Sequence, residues 1–552
     1  MNAVYTRLKS MLPPRAAAER GSFAADPKAM REWLDRLQLA NRGFTLTRLQ
    51  DALRQLNAAV VAPKARLAML EMLELTSAAL VDDAKNEARE FFPMSTDRYD
   101  DAQLAAEIER ELAIGYAEIV CDLCGDDGKV SFLRRSVVAK ALMRACLHQS
   151  VRLWLAWRMH GEPAAGAWQG LHDLFRFAVA SGCADAEYTV VATGAKTSAR
   201  AIYTQSVLHA FARPNQFTQV QNRQLHTNLA ALASWCEVRP GHAPIGAIAI
   251  YATGDLSPPA PPRGAQIDAD DRWVLDISGL LAQFDALLDK RGDADEIVVP
   301  ARRGGARAAL PAGIVEVLRR VWSERSEREH PRSADETLLE TEVGLSGLHF
   351  LLSGNQDFET ALPLGGEAPA AVASWAQRTP SRGTVRRARA EAVDRSRRGY
   401  RLRWNAGEDA RARVGELIAV APLARGEQQW RYGALRWLRA DRDRGVEAGV
   451  ELLPSQPVAV AVYALDAAGM ARAPIRGILI GSAGEARGGE QGILVPRPFV
   501  RDAVMLEVLR IDDASADTMP RPVRVASYDL LDAGLYQKII LPDEALVRIL
   551  HG

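Results

Sequence analysis

Apolar positions recur with a helical period through the first part of the chain and with a period of two through the last part. Met30, Trp33, Leu34 and Leu37 fall at i, i+3, i+4 and i+7. They come after Asp26-Pro27, which supplies an N-cap and a first-turn proline, and Gly43 closes the run. Leu46, Leu49, Leu53 and Leu56 mark a second amphipathic helix. Pro63 opens a third, carrying Leu67, Leu70, Met72 and Leu75. The same spacing predicts helices over 100–124, 131–160, 164–180, 197–213 and 218–235. Residues 26–236 therefore read as an all-α domain in which the Leu and Trp stripes form a core. Residues 1–25, with charges and Pro-Pro but no apolar centre, read as a flexible leader.

After Trp235 the period changes. Strands are predicted over 245–251 and 273–277, with a Pro-rich surface loop at 255–265 between them. Helices are predicted next over 278–290 and 310–322, then a charge-dense, solvated stretch at 319–332 and a short buried element at 343–352. Residues 237–358 thus form a mixed α/β segment. Residues 359–383, rich in Ala, Pro and Gly, read as a linker. A β-barrel is expected over 384–455. Residues 456–552 hold short β-like runs at 457–465, 475–481, 492–496, 503–511, 521–527 and 537–541, a second small β region. The expected fold class is multidomain α+β, with an all-α N-terminal half, a mixed middle segment and antiparallel β structure at the C-terminus.

One stretch within the barrel region carries the candidate chemistry. Val385, Arg387, Arg389, Glu391 and Val393 share one face of a strand, and Tyr400, Leu402 and Trp404 alternate with Arg401 and Arg403. Between them lies Asp394-Arg-Ser396-Arg-Arg-Gly399, a polar turn whose glycine permits a positive φ or a close backbone approach. The hexapeptide matches [D/N]-x-S-x-x-G, the second signature of the PilZ family, and the stretch resembles that family. The runs at 414–420, 430–437 and 445–453 look like the family's later strands, in order. The family's first signature, R-x-x-x-R, has its candidates in Arg378-x-x-x-Arg382 and Arg382-x-x-x-Arg386, closer to Asp394 than the full strand that the family pattern places between.

The resemblance implies a small antiparallel β-barrel that binds cyclic di-GMP. Asp394 would accept hydrogen bonds from a guanine's N1–H and N2–H, and Ser396 would donate its hydroxyl. Gly399 would leave room for the ring, and Arg382 and Arg386, with Arg378 in reserve, would take phosphate. Arg395, Arg397 and Arg398 would supply further guanidinium groups, which fork onto guanine O6 and N7 and stack on purine faces. The implied function is a non-enzymatic receptor or adaptor, read out through the helical half to a protein partner. The alternative is a PilZ-like interaction scaffold that no longer binds the messenger.

Charge sharpens this reading. Lys+Arg and Asp+Glu are both 69, so no global field steers the chain to nucleic acid or a membrane. Residues 378–444 nevertheless hold 18 Arg, no Lys and 8 acidic residues. Arginine without lysine favours planar, bidentate recognition of phosphate and bases. A single-stranded nucleic-acid binder using Tyr400, Trp404, Trp430 and Trp437 fits the neutral balance less well. Five Cys fit a reducing cytoplasm, and no run of 18 apolar residues spans a membrane. Cys121-Asp-Leu-Cys124 has no second pair to complete a zinc site, and His349, in an apolar run, reads as a core residue. The sequence has no phosphate-binding loop, nucleophile elbow or H-E-x-x-H motif, so it gives no enzyme constellation, no metal and no cofactor beyond the messenger.

Overall fold

The computed structural model describes the chain apart from residues 1, 20, 39, 82–90, 191–192, 243–246, 253, 256, 259–268, 293, 303–305, 324–330, 363–386, 424–428, 482–490, 500–504, 512–521, 527 and 552. It divides into two compact units. One holds Met1–Glu90 and Met94–Glu327; the other holds Phe91–Pro93 and Arg328–Gly552.

The first unit is helical, with helices at Arg42–Ala58, Pro63–Val81, Thr96–Leu123, Arg135–Arg158, Ala167–Ala180, Ala199–Phe211 and Gln219–Ala233 among them. Local signals set their ends. Asp26 caps Pro27–Leu34 by accepting from the Lys28 N–H at 2.9 Å, and Thr218 and Gln221 close a reciprocal capping box. Thr96–Leu123 is central and buried on most sides between Ala105 and Val120, including Glu109, Glu111 and Glu118. Those carboxylates are held by partners. Arg66 lies 2.7 Å from Glu118 and donates to the Leu56 and Ala59 carbonyls, satisfying groups at the end of Arg42–Ala58. Within the stretch expected as a leader, Asn2–Ser10 is helical and buries Tyr5 and Leu8. One hydrophobic core runs from Tyr5 to Trp322. It takes in the three-stranded sheet of Glu237–Pro240, Ile248–Tyr251 and Arg272–Asp276, and the hairpin of Glu296–Pro300 with Arg307–Pro311. The middle segment therefore divides between the two units.

The second unit contains a closed six-stranded barrel of β1 (Leu338–Val343), β2 (Ala388–Ser396), β3 (Gly399–Trp404), β4 (Leu417–Pro422), β5 (Arg431–Asp441) and β6 (Gly445–Leu452). The ladder runs β2–β1–β4–β5–β6–β3, and β3 pairs back with β2 to remove both edges. Every pairing is antiparallel. Leu402, Trp404, Leu435, Leu438, Val446 and Ala448 are buried. Trp404 is fully buried and donates its indole N–H to Thr341 Oγ1 at 3.0 Å, and that hydroxyl donates to the Ala388 carbonyl at 2.9 Å. The barrel so depends on β1, whose Glu340-Thr-Glu342 centre hides the alternation expected of a strand.

Val458–Leu465, Ile475–Ile480, Gly492–Pro496, Met505–Arg510, Val523–Val525, Asp529–Ala533 and Tyr536–Ile540 form a second, seven-stranded sheet, backed by the helix Asp543–His551. Helix Leu345–Leu352 comes directly after β1 and joins barrel and sheet. Its Leu345 and Leu348 pack with Leu417, Ala419 and Tyr432 of the barrel and with Ile478, Leu494 and Tyr536 of the sheet. His349, on the same helix, is buried with Nε2 3.2 Å from the Val460 carbonyl.

Candidate functional site

The hexapeptide is the hairpin between β2 and β3. Ser396 pairs with Gly399, Arg395 with Tyr400 and Asp394 with Arg401, leaving Arg397 and Arg398 at the turn. Along β2, Ala388, Ala390 and Ala392 alternate into the interior. The ladder register shifts between Ala392 and Asp394, a β-bulge at Val393, and the inward alternation stops there. Asp394 is accordingly part-exposed rather than inside the barrel.

The partner of Asp394 comes from far upstream in sequence. A short strand, Ser333–Ala334, pairs with β2 in the register Ala334↔Asp394 and Ser333↔Arg395. This carries Arg332 to Asp394, where its guanidinium donates to Oδ1 at 2.7 Å. Arg395 lies 3.3 Å from Asp335 in a second pair across the same two strands. Thr337, through its hydroxyl and backbone N–H, holds the Asp335 carboxyl below the usual range. Ser396 Oγ sits 3.5 Å from the Gly399 carbonyl and closes the turn loosely. Arg397 and Arg398 are exposed and make no ion pair among the described residues.

Gly399 has a structural reason to be glycine. A Cβ there would fall 2.1 Å from the Val450 carbonyl oxygen, so the residue makes room for the backbone of β6 without a positive φ. Other arginines of the stretch are committed to pairing on the outer face. Arg401 and Arg403 donate to opposite oxygens of Glu447 at 2.7 and 2.6 Å. Burial pushes the Glu447 carboxyl up, and these two guanidinium groups outweigh it and bring it below the usual range. Arg431 donates to the Tyr400 hydroxyl at 2.9 Å and lies over its ring.

The structure thus brings Asp394, Ser396 and Gly399 onto one hairpin. Arg382 and Arg386, with Arg378, lie outside the described residues. Sequence reasoning did not single out Arg332 and Asp335. Their signal was there: Arg328-Glu-His-Pro-Arg332 is itself an R-x-x-x-R, standing one strand ahead of the barrel sequence, in a stretch expected to be solvated charge. Arg328 also lies outside the described residues.

Elsewhere, burial pushes the thiols of Cys121 and Cys124 up to about 12 and about 11, so both stay protonated at neutral pH. Among the described residues, no group of three His, Cys, Asp or Glu side chains could hold a metal, and no helix is long and apolar enough to cross a membrane.

Comparison with known proteins adds to this geometry. Residues 28–242 match the family model described as the N-terminal domain of the cyclic-di-GMP receptor FimW, and residues 250–378 and 370–458 match the model of its middle PilZ domain. A curated relative, the cyclic-di-GMP receptor FimW of Pseudomonas aeruginosa, is 25% identical over 520 residues, with 80% of each chain covered. No solved structure matches the chain.

Proposed function

The chain belongs to the PilZ-domain family, and from that premise we propose that it is a non-enzymatic receptor for cyclic di-GMP, binding the messenger at the β2–β3 hairpin. The observation that carries this reading is the Arg332–Asp394 pair at 2.7 Å. It brings the end of one R-x-x-x-R sequence beside the D-x-S-x-x-G turn, the two signatures of the family. The chemistry suits the ligand. Asp394 accepts from the N–H edge of a guanine with its free lone pairs while holding Arg332 in place. Arg332 forks onto phosphate or onto guanine O6 and N7. Arg397 and Arg398, uncommitted at the turn, stack on a base or take the second phosphate. Ser396 donates its hydroxyl, and Gly399 lets the two strands close beneath the turn. Arg382 and Arg386 stand as a second basic pair whose part is decided by mutation.

The test is titration calorimetry of the full chain with cyclic di-GMP and with GTP as control. Binding selective for cyclic di-GMP is expected. Asp394→Ala and Arg332→Ala should each weaken it by about tenfold or more, the loss of a charge-assisted hydrogen bond. Arg382→Ala/Arg386→Ala should weaken it less. Unchanged binding in both Asp394→Ala and Arg332→Ala would move the site elsewhere. No heat with the parent chain would leave the barrel as an interaction scaffold. We propose further that the receptor acts in the cytoplasm and passes its state to a protein partner through the helical unit.

A further inference from the structure

The second unit holds another opening, at the end of β1 remote from the hairpin. β1 begins at Leu338, which pairs with Glu391 on the hairpin side, and ends at Val343, which pairs with Ile418. Six residues of strand separate the two ends by roughly 17 Å. At the far end is a cavity of about 450 Å³, bordered by the end of β1, the segment Arg411–Glu416 that leads into β4, the start of helix Leu345–Leu352 and the C-terminal sheet. That volume suits a small organic ligand.

The polar lining of this cavity is incompletely satisfied. Tyr536 and Glu342 are 7% and 6% exposed, yet among the described residues the Tyr536 hydroxyl and Glu342 Oε2 have no hydrogen-bond partner. Arg413 Nε is likewise buried and unpartnered. Buried polar atoms seldom go unpaired; these three belong to residues in the cavity wall but are closed off from its surface, so a ligand would satisfy them as their side chains turn toward it. The cavity is also rich in cations. Arg411 has no carboxylate within ion-pairing distance among the described residues, and its guanidinium lies over the Phe91 ring at 5.1 Å. Arg413 covers the same ring at 4.8 Å while pairing with the buried Glu416 at 3.1 Å. The first turn of helix Leu345–Leu352 adds backbone N–H groups and the positive end of a helix dipole. Burial pushes Glu342 up to about 7, so near neutrality its carboxyl serves as donor or acceptor.

We propose that this cavity is a second ligand site, distinct from the hairpin, for a small phosphate-bearing molecule of mononucleotide size. The phosphate sits on Arg411, Arg413 and the Tyr536 hydroxyl, the ligand's ring lies against Phe91, and a ring N–H meets Glu342. This assignment stands whether or not the hairpin binds cyclic di-GMP.

The experiment is calorimetry of the full chain with GMP, AMP and inorganic phosphate as separate probes, each repeated with cyclic di-GMP at saturation. At least one nucleotide should bind, should still bind when cyclic di-GMP is present, and should be displaced by excess phosphate. Arg411→Ala/Arg413→Ala should weaken it by about tenfold or more, and Tyr536→Phe, which keeps the ring, by about fivefold. Arg332→Ala should leave it unchanged. If the double variant does not fold, Tyr536→Phe decides alone. The proposal is overturned if none of the three probes binds, if phosphate fails to displace the nucleotide, or if Tyr536→Phe binds like the parent. It is equally overturned if Arg332→Ala or cyclic di-GMP abolishes the binding, since the nucleotide would then occupy the hairpin.

Discussion

In the helical unit Arg66 and Glu118 are wholly buried and 2.7 Å apart, whereas on the barrel Arg401, Arg403 and Glu447 pair at a similar distance with their side chains partly in water. The same pairing chemistry has opposite weight in the two places. Burial drives Arg66 down and Glu118 up to about 7, so each charge is tolerated only because the other is present. The barrel keeps apolar side chains and Trp404 within and carries the ion pairs of its strands outside, where solvent screens them. A second buried network strengthens the contrast. Tyr116 donates to Glu74 at 2.6 Å, Arg144 bonds both, and His148 reaches Glu109 at 2.7 Å. The helical unit is thus built around charges that must stay paired, and the barrel around a core that leaves its outer charges exchangeable.

The sharpest way to break this contrast is Arg66→Met, which strands Glu118 in the interior. It should cost about 3–5 kcal/mol in urea unfolding of the full chain, and Arg66→Met/Glu118→Leu should recover most of that loss. A recovery of nothing would mean that Arg66 acts through the Leu56 and Ala59 carbonyls instead.

Next comes pH. Burial opposes charge on His148, yet Glu109 and Glu74 raise it from 6.5 to about 9. A group raised in the folded state contributes stability that is complete below about 6.5 and is lost as pH climbs through 9. The helical unit should lose on the order of 2 kcal/mol between those values. His148→Gln should flatten that slope, seen in melting temperatures across the range. At the acid end, burial raises Glu74 but His148, Tyr116 and Arg144 bring it from 4.5 down to about 2, so its share disappears as pH falls through that interval.

Within the barrel, Thr341→Val should cost about 1–3 kcal/mol, because the Trp404 N–H would be left buried without an acceptor. The smallest effect is expected on the outer face. Glu447→Ala should change stability by about 1 kcal/mol or less, and by less still in high salt. A larger, salt-insensitive loss would place Glu447 with the buried pairs.

These elements differ in how far the chain announces them. The hairpin and the last three barrel strands were legible, because their apolar residues alternate and their partners are close in sequence. The runs expected at 414–420, 430–437 and 445–453 correspond to Leu417–Pro422, Arg431–Asp441 and Gly445–Leu452. β1 was hidden because its buried Thr341 and Glu342 look polar, and its partners β2 and β4 lie far along the chain. Arg332 was hidden for a related reason. It precedes a strand of two residues, and only pairing with β2 shows that it faces Asp394. The bulge at Val393, which ends the inward alternation before Asp394, leaves no trace in the residue pattern. In the helical half the caps were readable one by one, while the first helix was missed because Tyr5 and Leu8 alone make too weak a stripe.

The tripeptide Phe91–Pro93 has a consequence for dividing the molecule. It is written into the sequence between two long helices of the first unit, yet it belongs to the second, where Phe92 bridges to Ala412. The backbone therefore passes from one unit to the other three times, after Glu90, after Pro93 and after Glu327. A scissor at Glu327 alone yields two fragments, neither of which is a whole unit: one carries a strip of the other's wall, and the other lacks it. Anyone who clones the barrel from Arg328 onward leaves behind the aromatic ring that Arg411 and Arg413 rest on.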